Sequence, residues 1–360
     1  MVTTYAFAIM ILITYPLAWG AAAASTGRNR KIYGNANLTA NVLVVLIVLA
    51  FIIFAGFRNI TGFGIDEYAY RNRVMGMIGQ SLGDVLSGNK EYLDTIPNWI
   101  IGNCLHESQW IFVWNASVTY ISFVYCIYRQ CDNFELGILF LFLLNIVNVS
   151  FNTMQQMEAV AVTMFGIPYL YKRDFKKYLI VILIAFMIHN SAIVMLALYF
   201  ISNMKPWSLK FMSVAFVFAV VAAVFNRVAP GLFATLGLFQ DYGYSFGSGV
   251  KGITVLVAFI PLAFALAFKS TLAGDDKEMN CAINMTLVYA MIYIVSTQNL
   301  YVARFAMYIQ PFLIIFYTKL ITRLRKDRLS TLVYYVLVFG YGATTVYFTR
   351  GTKYHFVKLF

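Results

Sequence analysis

Apolar runs separated by short polar or basic turns cover this chain almost from end to end. A bilayer's hydrocarbon core is roughly 30 Å thick, and an α-helix of about 17–25 apolar residues crosses it. Runs of that kind fall near residues 5–23, 39–57, 108–128, 136–151, 157–171, 210–226, 252–268, 281–297, 305–320 and 331–348. One further run, Tyr178 to Ile201, is apolar except for His189-Asn190-Ser191 near its centre. It reads as one helix with a polar midpoint, or as two short helices that meet at His189. No repeat or low-complexity tract interrupts the pattern, so the expectation is an all-α chain folded as one membrane domain over 1–360. The stretch Arg58 to Glu107 is the only loop long enough for structure of its own. Inside it, Pro97 to Cys104 predicts a short amphipathic helix at the interface, with Trp99 as its aromatic anchor.

Composition makes the membrane reading firm. Apolar residues form 61% of the 360 positions and charged residues only 12%, whereas soluble domains are near a quarter charged. The chain is polytopic. Its net charge of +12 is not a nucleic-acid signal, because cytoplasmic loops of membrane proteins collect Lys and Arg. The cysteines Cys104, Cys126, Cys131 and Cys281 show no metal-ligand spacing, and Cys126 and Cys131, which flank a basic turn, read as ordinary small apolar residues in preference to ligands or a disulfide. No cleavable signal peptide is expected, since the first apolar run has no basic segment before it and is long enough to span.

Charge placement also sets topology. The short basic turn Gly27-Arg28-Asn29-Arg30-Lys31 belongs in the cytoplasm, which puts the N-terminus outside. If Tyr178–Ile201 is a hairpin, the 27 Lys and Arg divide seventeen inside and nine outside, with Arg304 at the membrane border. A single span divides the remaining 26 of the 27 evenly. Both flanks of the run, Lys172 to Lys177 and Lys205 to Lys210, are basic. The hairpin is therefore expected, with about twelve membrane segments and both termini outside.

Ionisable and amide side chains at membrane depth are costly and mark function. Four groups stand out, all on the expected outer side. The first is Phe57 to Tyr70, where Arg58 offers a planar fork for phosphate, Gly62 and Gly64 permit a tight turn, and Asp66 is a candidate base. Its plain alternative is a snorkelling Arg58 and an Asp66 that caps a helix. The second is the turn Asn152 to Glu158, where Gln155 and Gln156 suit sugar hydroxyls, or form a polar turn only. The third is His189, a base or an interhelical hydrogen-bonder. The fourth is Tyr301 to Tyr308, in which Arg304 and Tyr308 share a helical face at i and i+4. No P-loop, GxGxxG, HExxH or GxSxG pattern is present, so no nucleotide site is expected.

Taken in order, these motifs resemble the Wzy-type polysaccharide polymerases of the EpsG-like family. The residues that carry the likeness are Arg58 followed by Gly64-x-Asp66 and Tyr70, the Gln-containing turn, Phe186-Met187-Ile188-His189-Asn190-Ser191-Ala192, and Tyr301-x-x-Arg304-x-x-x-Tyr308. The chain departs from the family where Gln155-Gln156 replaces an Arg-Gln pair. The resemblance implies a GT-C-like helical fold in the bacterial inner membrane, with its site at the periplasmic or exterior face. It implies a polymerase that joins undecaprenyl-diphosphate-linked oligosaccharides, with no cofactor and no metal. A chain-length regulator and a flippase are the implied protein partners. Under it, His189 and Asp66 are the catalytic candidates, Arg58 and Arg304 hold diphosphate, and Gln155, Gln156, Tyr70 and Tyr308 bind glycan. An O-antigen ligase, or a flippase or transporter for the lipid-linked unit, is the alternative. A transporter would be expected to show matching repeats and Gly/Pro-broken helices.

Overall fold

The structure is a computed structural model, and it describes residues 3–25, 37–59, 66–236, 249–272, 274–324 and 328–350. The basic turn at 27–31, the glycines Gly62 and Gly64, and residues 237–248 lie outside the described residues. Among the described residues every regular element is a helix.

Among the described residues six helices are long and apolar enough to cross a bilayer: Thr3–Ala24, Leu38–Gly56, Gln109–Gln130, Lys277–Val295, Leu300–Leu324 and Leu329–Thr349. Large apolar side chains stand exposed on them, Leu12 at 74% and Phe339 at 71% among them. Such surface is stable against lipid and not against water, so the chain is a multi-pass helical membrane protein.

Other expected segments are shorter or interrupted, and each interruption has a local cause. The 136–151 run forms Phe134–Leu143 and Ile146–Asn152, bent by 53°, because Asn145 adopts the left-handed conformation at φ 61°. Asn tolerates that conformation better than most residues. The 157–171 run forms Met154–Thr163, a 3₁₀ turn Met164–Gly166, and Ile167–Lys172. Phe175–Ile188 stops at His189, and a 3₁₀ stretch Asn190–Val194 precedes Met195–Ser202. Gly252–Ala267 is also below full spanning length, whereas Leu209–Leu236 has 28 residues and runs past the end of the expected 210–226 segment.

The chain divides into two compact units. The first comprises Met1–Pro168, Lys176–Ile193 and Tyr317–Phe360. Its core is aromatic: Phe51 stacks on Tyr120 at 4.6 Å, Phe7 meets Phe54 and Phe142 edge-on, and Phe140 stacks on Tyr317. Leu38–Gly56 packs on Gln109–Gln130 at very short range, since a Cβ on Gly56 would lie 2.9 Å from the Val113 Cα. The 58–107 stretch is helical, with Glu67–Gly76, Leu82–Leu86, Tyr92–Ile100 and a π turn at Ile101–Leu105. The interfacial helix expected at Pro97 to Cys104 thus begins earlier, at Tyr92, and Pro97 sits inside it. Trp99 donates its indole N–H to the Gln80 carbonyl at 2.8 Å.

The second unit comprises Tyr169–Phe175 and Val194–Phe316. Lys277–Val295 is its centre, started by Asp276, whose carboxylate accepts from the Glu278 and Met279 N–H groups. Its Leu287 and Ala290 pack against Phe211 and Leu262. Asn284, fully buried, donates to the carbonyls of Ile201 and Met204 and so ties down the turn after Met195–Ser202.

Candidate functional site

In the first unit, three of the sequence candidates come together: His189, Gln155 and Tyr70. Glu91 joins them. It stands at the N-cap position of Tyr92–Ile100, yet its side chain makes no cap bond and turns instead to His189. The Glu91 Oε1 lies 3.0 Å from the His189 Nδ1, a close polar contact without an aligned hydrogen bond. The same oxygen accepts from the Asn190 backbone N–H at 2.8 Å, and Oε2 accepts from the Gln155 amide at 2.7 Å.

Gln155 is the centre of the arrangement and is buried. Its Nε2 also donates to the Ile188 carbonyl, one of those left without an intrahelical partner where the helix ends at His189. Its Oε1 accepts from Arg73 at 3.1 Å. Arg73 in turn reaches the Asp94 carboxylate at 3.0 Å, and Asn98, one turn further along the same helix, donates to Asp94 as well. The Arg73 guanidinium lies over the Tyr70 ring, whose hydroxyl faces the Gln155 backbone N–H. A continuous polar chain therefore runs His189–Glu91–Gln155–Arg73–Asp94–Asn98.

Electrostatics differ along it. Burial works to raise Glu91, but the His189 ring, the Asn190 N–H and the Gln155 amide outweigh it and hold the carboxyl below its ordinary value. Asp94 is more deeply buried, and that burial pushes it up to about 6 despite the opposing pull of Arg73. Glu91 is the carboxylate that stays ionised; Asp94 is the one that titrates near neutrality.

Arg58 has another task than the one expected of it. It is 2% exposed, and each guanidinium nitrogen has an internal partner. Nε donates to Glu67 at 2.9 Å, Nη1 to the Ala55 carbonyl, and Nη2 to the Phe151 carbonyl and the Met154 sulfur. Phe112 and Phe151 cover its faces. With four of its five N–H donors engaged on a carboxylate, two carbonyls and a sulfur and both faces covered, Arg58 acts as a structural clamp. Asp66 occupies the N-cap position of Glu67–Gly76, half-buried and without a side-chain cap bond. Gln156 is buried.

Arg304 and Tyr308 belong to the second unit. The backbone there is a 3₁₀ helix over Leu300–Ile309, with three residues per turn. The expected i, i+4 pairing of Arg304 with Tyr308 therefore does not hold. Arg304 lies over the Tyr301 ring at 5.4 Å, three residues back, and Tyr308 is wholly buried.

Sequence reasoning missed Glu91, Arg73, Asp94 and Asn98. A signal existed: Asp66, Glu67, Asp84, Glu91, Asp94 and Glu107 place six of the chain's 15 acidic residues in the 58–107 stretch. Among the described residues no cluster of His, Cys, Asp or Glu suits a metal ion.

A helical membrane protein with a histidine held by a half-buried carboxylate and a buried amide is the class that fold and site define. The chain belongs to the EpsG family, whose profile matches residues 41–358, and is thereby tied to polysaccharide biosynthesis. No curated protein and no solved structure gives a match.

Proposed function

We propose that the chain is a glycosyltransferase that polymerises undecaprenyl-diphosphate-linked repeat units at the outer face of the bacterial inner membrane. The observation that carries this reading is Glu91 set against the His189 Nδ1. A carboxylate on Nδ1 favours the tautomer with its proton there, which leaves the Nε2 lone pair to accept a proton. An acceptor sugar hydroxyl loses its proton to Nε2 as its oxygen attacks the donor's anomeric carbon. The bond from that carbon to the diphosphate oxygen breaks, and the lipid diphosphate leaves with the electron pair. No nucleotide is required, because the donor carries its own leaving group.

Arg304 is the proposed diphosphate ligand, and Asp66 orients the acceptor hydroxyl. Gln155 and Tyr70 act through position: the amide holds Glu91, and the ring backs Arg73. A chain-length regulator and a flippase are the proposed protein partners, and the reading as one transmembrane polymerase domain rests on family membership.

The test is a reconstituted assay with lipid-linked donor and acceptor. His189→Gln is expected to slow the chemical step by about a hundredfold while acceptor binding persists, as for loss of a general base. Arg304→Lys, which keeps the charge and loses the bidentate fork, is expected to cost on the order of a hundredfold. Normal polymerisation by His189→Gln would leave the histidine a packing hydrogen-bonder. In a deletion strain, a polymerase loss leaves one repeat unit on the lipid core and a ligase loss leaves none, which separates the two readings.

A further inference from the structure

The second unit holds a cavity of about 630 Å³ that the proposed reaction does not use. Ligand sites commonly have volumes of about 300–1,000 Å³. Three stretches of chain surround it: the end of Ile167–Lys172, the turn after Met195–Ser202, and the segment from Lys269 into Lys277–Val295. They bring four cations to its wall, Arg173, Lys205, Lys269 and Lys277, against the single carboxylate of Asp275. All four belong to the set that charge counting assigns to the cytoplasmic side.

The backbone singles out this cavity. Only four non-glycine residues among those described have positive φ, and two of them, Arg173 at 55° and Trp207 at 63°, line it. Arg173 ends its helix with Asp174 N–H bonded to the Tyr169 carbonyl and its own N–H to the Leu170 carbonyl. That is the pattern of a Schellman cap, whose left-handed residue is usually glycine. Trp207 follows Pro206 in a turn closed by the Ser208 N–H on the Lys205 carbonyl. Its φ has the sign of a type II turn, which again calls for glycine at that place. An L-residue pays a steric penalty in this conformation, and such positions cluster at ligand sites. Here both carry side chains suited to one ligand: a guanidinium fork, and an indole with the Lys269 ammonium 5.5 Å from its ring.

We propose that this cavity binds a phosphate ester, with Arg173, Lys205 and Lys269 on its anionic oxygens and Trp207 as the wall beside them. Its apolar lining, Leu170, Met204 and Leu272 included, suits the start of the acyl chains of an anionic phospholipid. A soluble phosphate compound offers the same anionic group without those chains.

The test uses the full chain in neutral detergent, titrated with phosphatidylglycerol, phosphatidylcholine or inorganic phosphate. Melting temperature reports binding by linkage, and native mass spectrometry reports retained lipid. Phosphatidylglycerol is expected to raise the melting temperature and remain bound, and phosphatidylcholine is not. Arg173→Gly with Lys205→Gln is expected to weaken phosphatidylglycerol binding at least tenfold. Arg173→Gly alone places the favoured residue in the cap, so it keeps the ligand-free melting temperature and shows that lost binding is not lost folding. Lys269→Gln is a second, independent reduction. Stabilisation by inorganic phosphate but not by phosphatidylglycerol, abolished by the same variants, would assign the site to a soluble phosphate ester. Equal responses of wild type and variants to every ligand would overturn the proposal.

Discussion

Asp94 links the polar chain to pH. Its carboxyl is 4% exposed and lies between Arg73 and Asn98. Burial lifts it from the ordinary 3.8 to about 6, with Arg73 pulling the other way. Between those two values the folded protein holds a proton that the unfolded chain has released. Stability therefore falls as pH rises through that window, and the loss is complete above about pH 6. Glu91 works with the opposite sign: its carboxyl is lowered in the fold, so its contribution is present at neutral pH and is lost only on acidification below the ordinary range. Asp94→Asn removes the first effect and leaves the second. Melting curves of detergent-solubilised wild type and variant, taken between pH 4 and pH 7, are expected to diverge, with the wild type losing ground as pH rises. A flat difference curve would mean that Asp94 titrates like an exposed carboxyl.

Helix contacts in the first unit depend on single small residues. The Leu38–Gly56 and Gln109–Gln130 helices approach at Gly56, where an added Cβ meets the Val113 main chain, which cannot swing aside as a side chain would. Gly56→Ala is expected to destabilise by about 1–3 kcal/mol, the usual range for overpacking. It also strains the 2.6 Å bond from Gln109 to the Gly56 carbonyl, next to Arg58. Gly76→Ala is the control, because its Cβ enters open space; equal melting temperatures for both variants would show that the close approach is not limiting. The same scale explains what sequence could reveal. The break at His189 was legible because three polar residues interrupt an apolar run. The bend at Asn145 was not, since one Asn among Leu, Ile and Val leaves the hydrophobic pattern continuous. The 3₁₀ backbone of Leu300–Ile309 was hidden as well, because its apolar spacing fits an α-helix equally. Glu91 escaped notice for a different reason: its partner His189 is far along the chain, and no local spacing announces a contact made only by folding.

At the scale of the molecule, the side of the membrane on which each loop lies decides whether His189 and Arg304 face one compartment. Phe175–Ile188 has 14 residues and Met195–Ser202 has 8, about 21 Å and about 12 Å of helix. Neither alone crosses a hydrocarbon core of roughly 30 Å, whereas the two in line would. Charge argues the other way, since both flanks are basic and only a re-entrant pair places both in the cytoplasm. Such a pair leaves its irregular tip at His189 inside the membrane region, which is tolerated when the tip lines a wet cavity. Lys176 and Lys205 discriminate directly, because a hairpin puts them on one side and a single span on opposite sides. Both are exposed, so a cysteine at either position can be labelled. The native thiols interfere little: Cys126, Cys131 and Cys281 are buried, and Cys104→Ser removes the exposed one. In intact cells, Lys176→Cys and Lys205→Cys are both expected to resist an impermeant maleimide until the membrane is opened, while Asn190→Cys and Leu300→Cys react at once. Reaction of Lys205→Cys from outside, with Lys176→Cys still protected, would establish the single span. It would also place Arg304 on the cytoplasmic side, away from His189, and remove it as the diphosphate ligand of the proposed reaction.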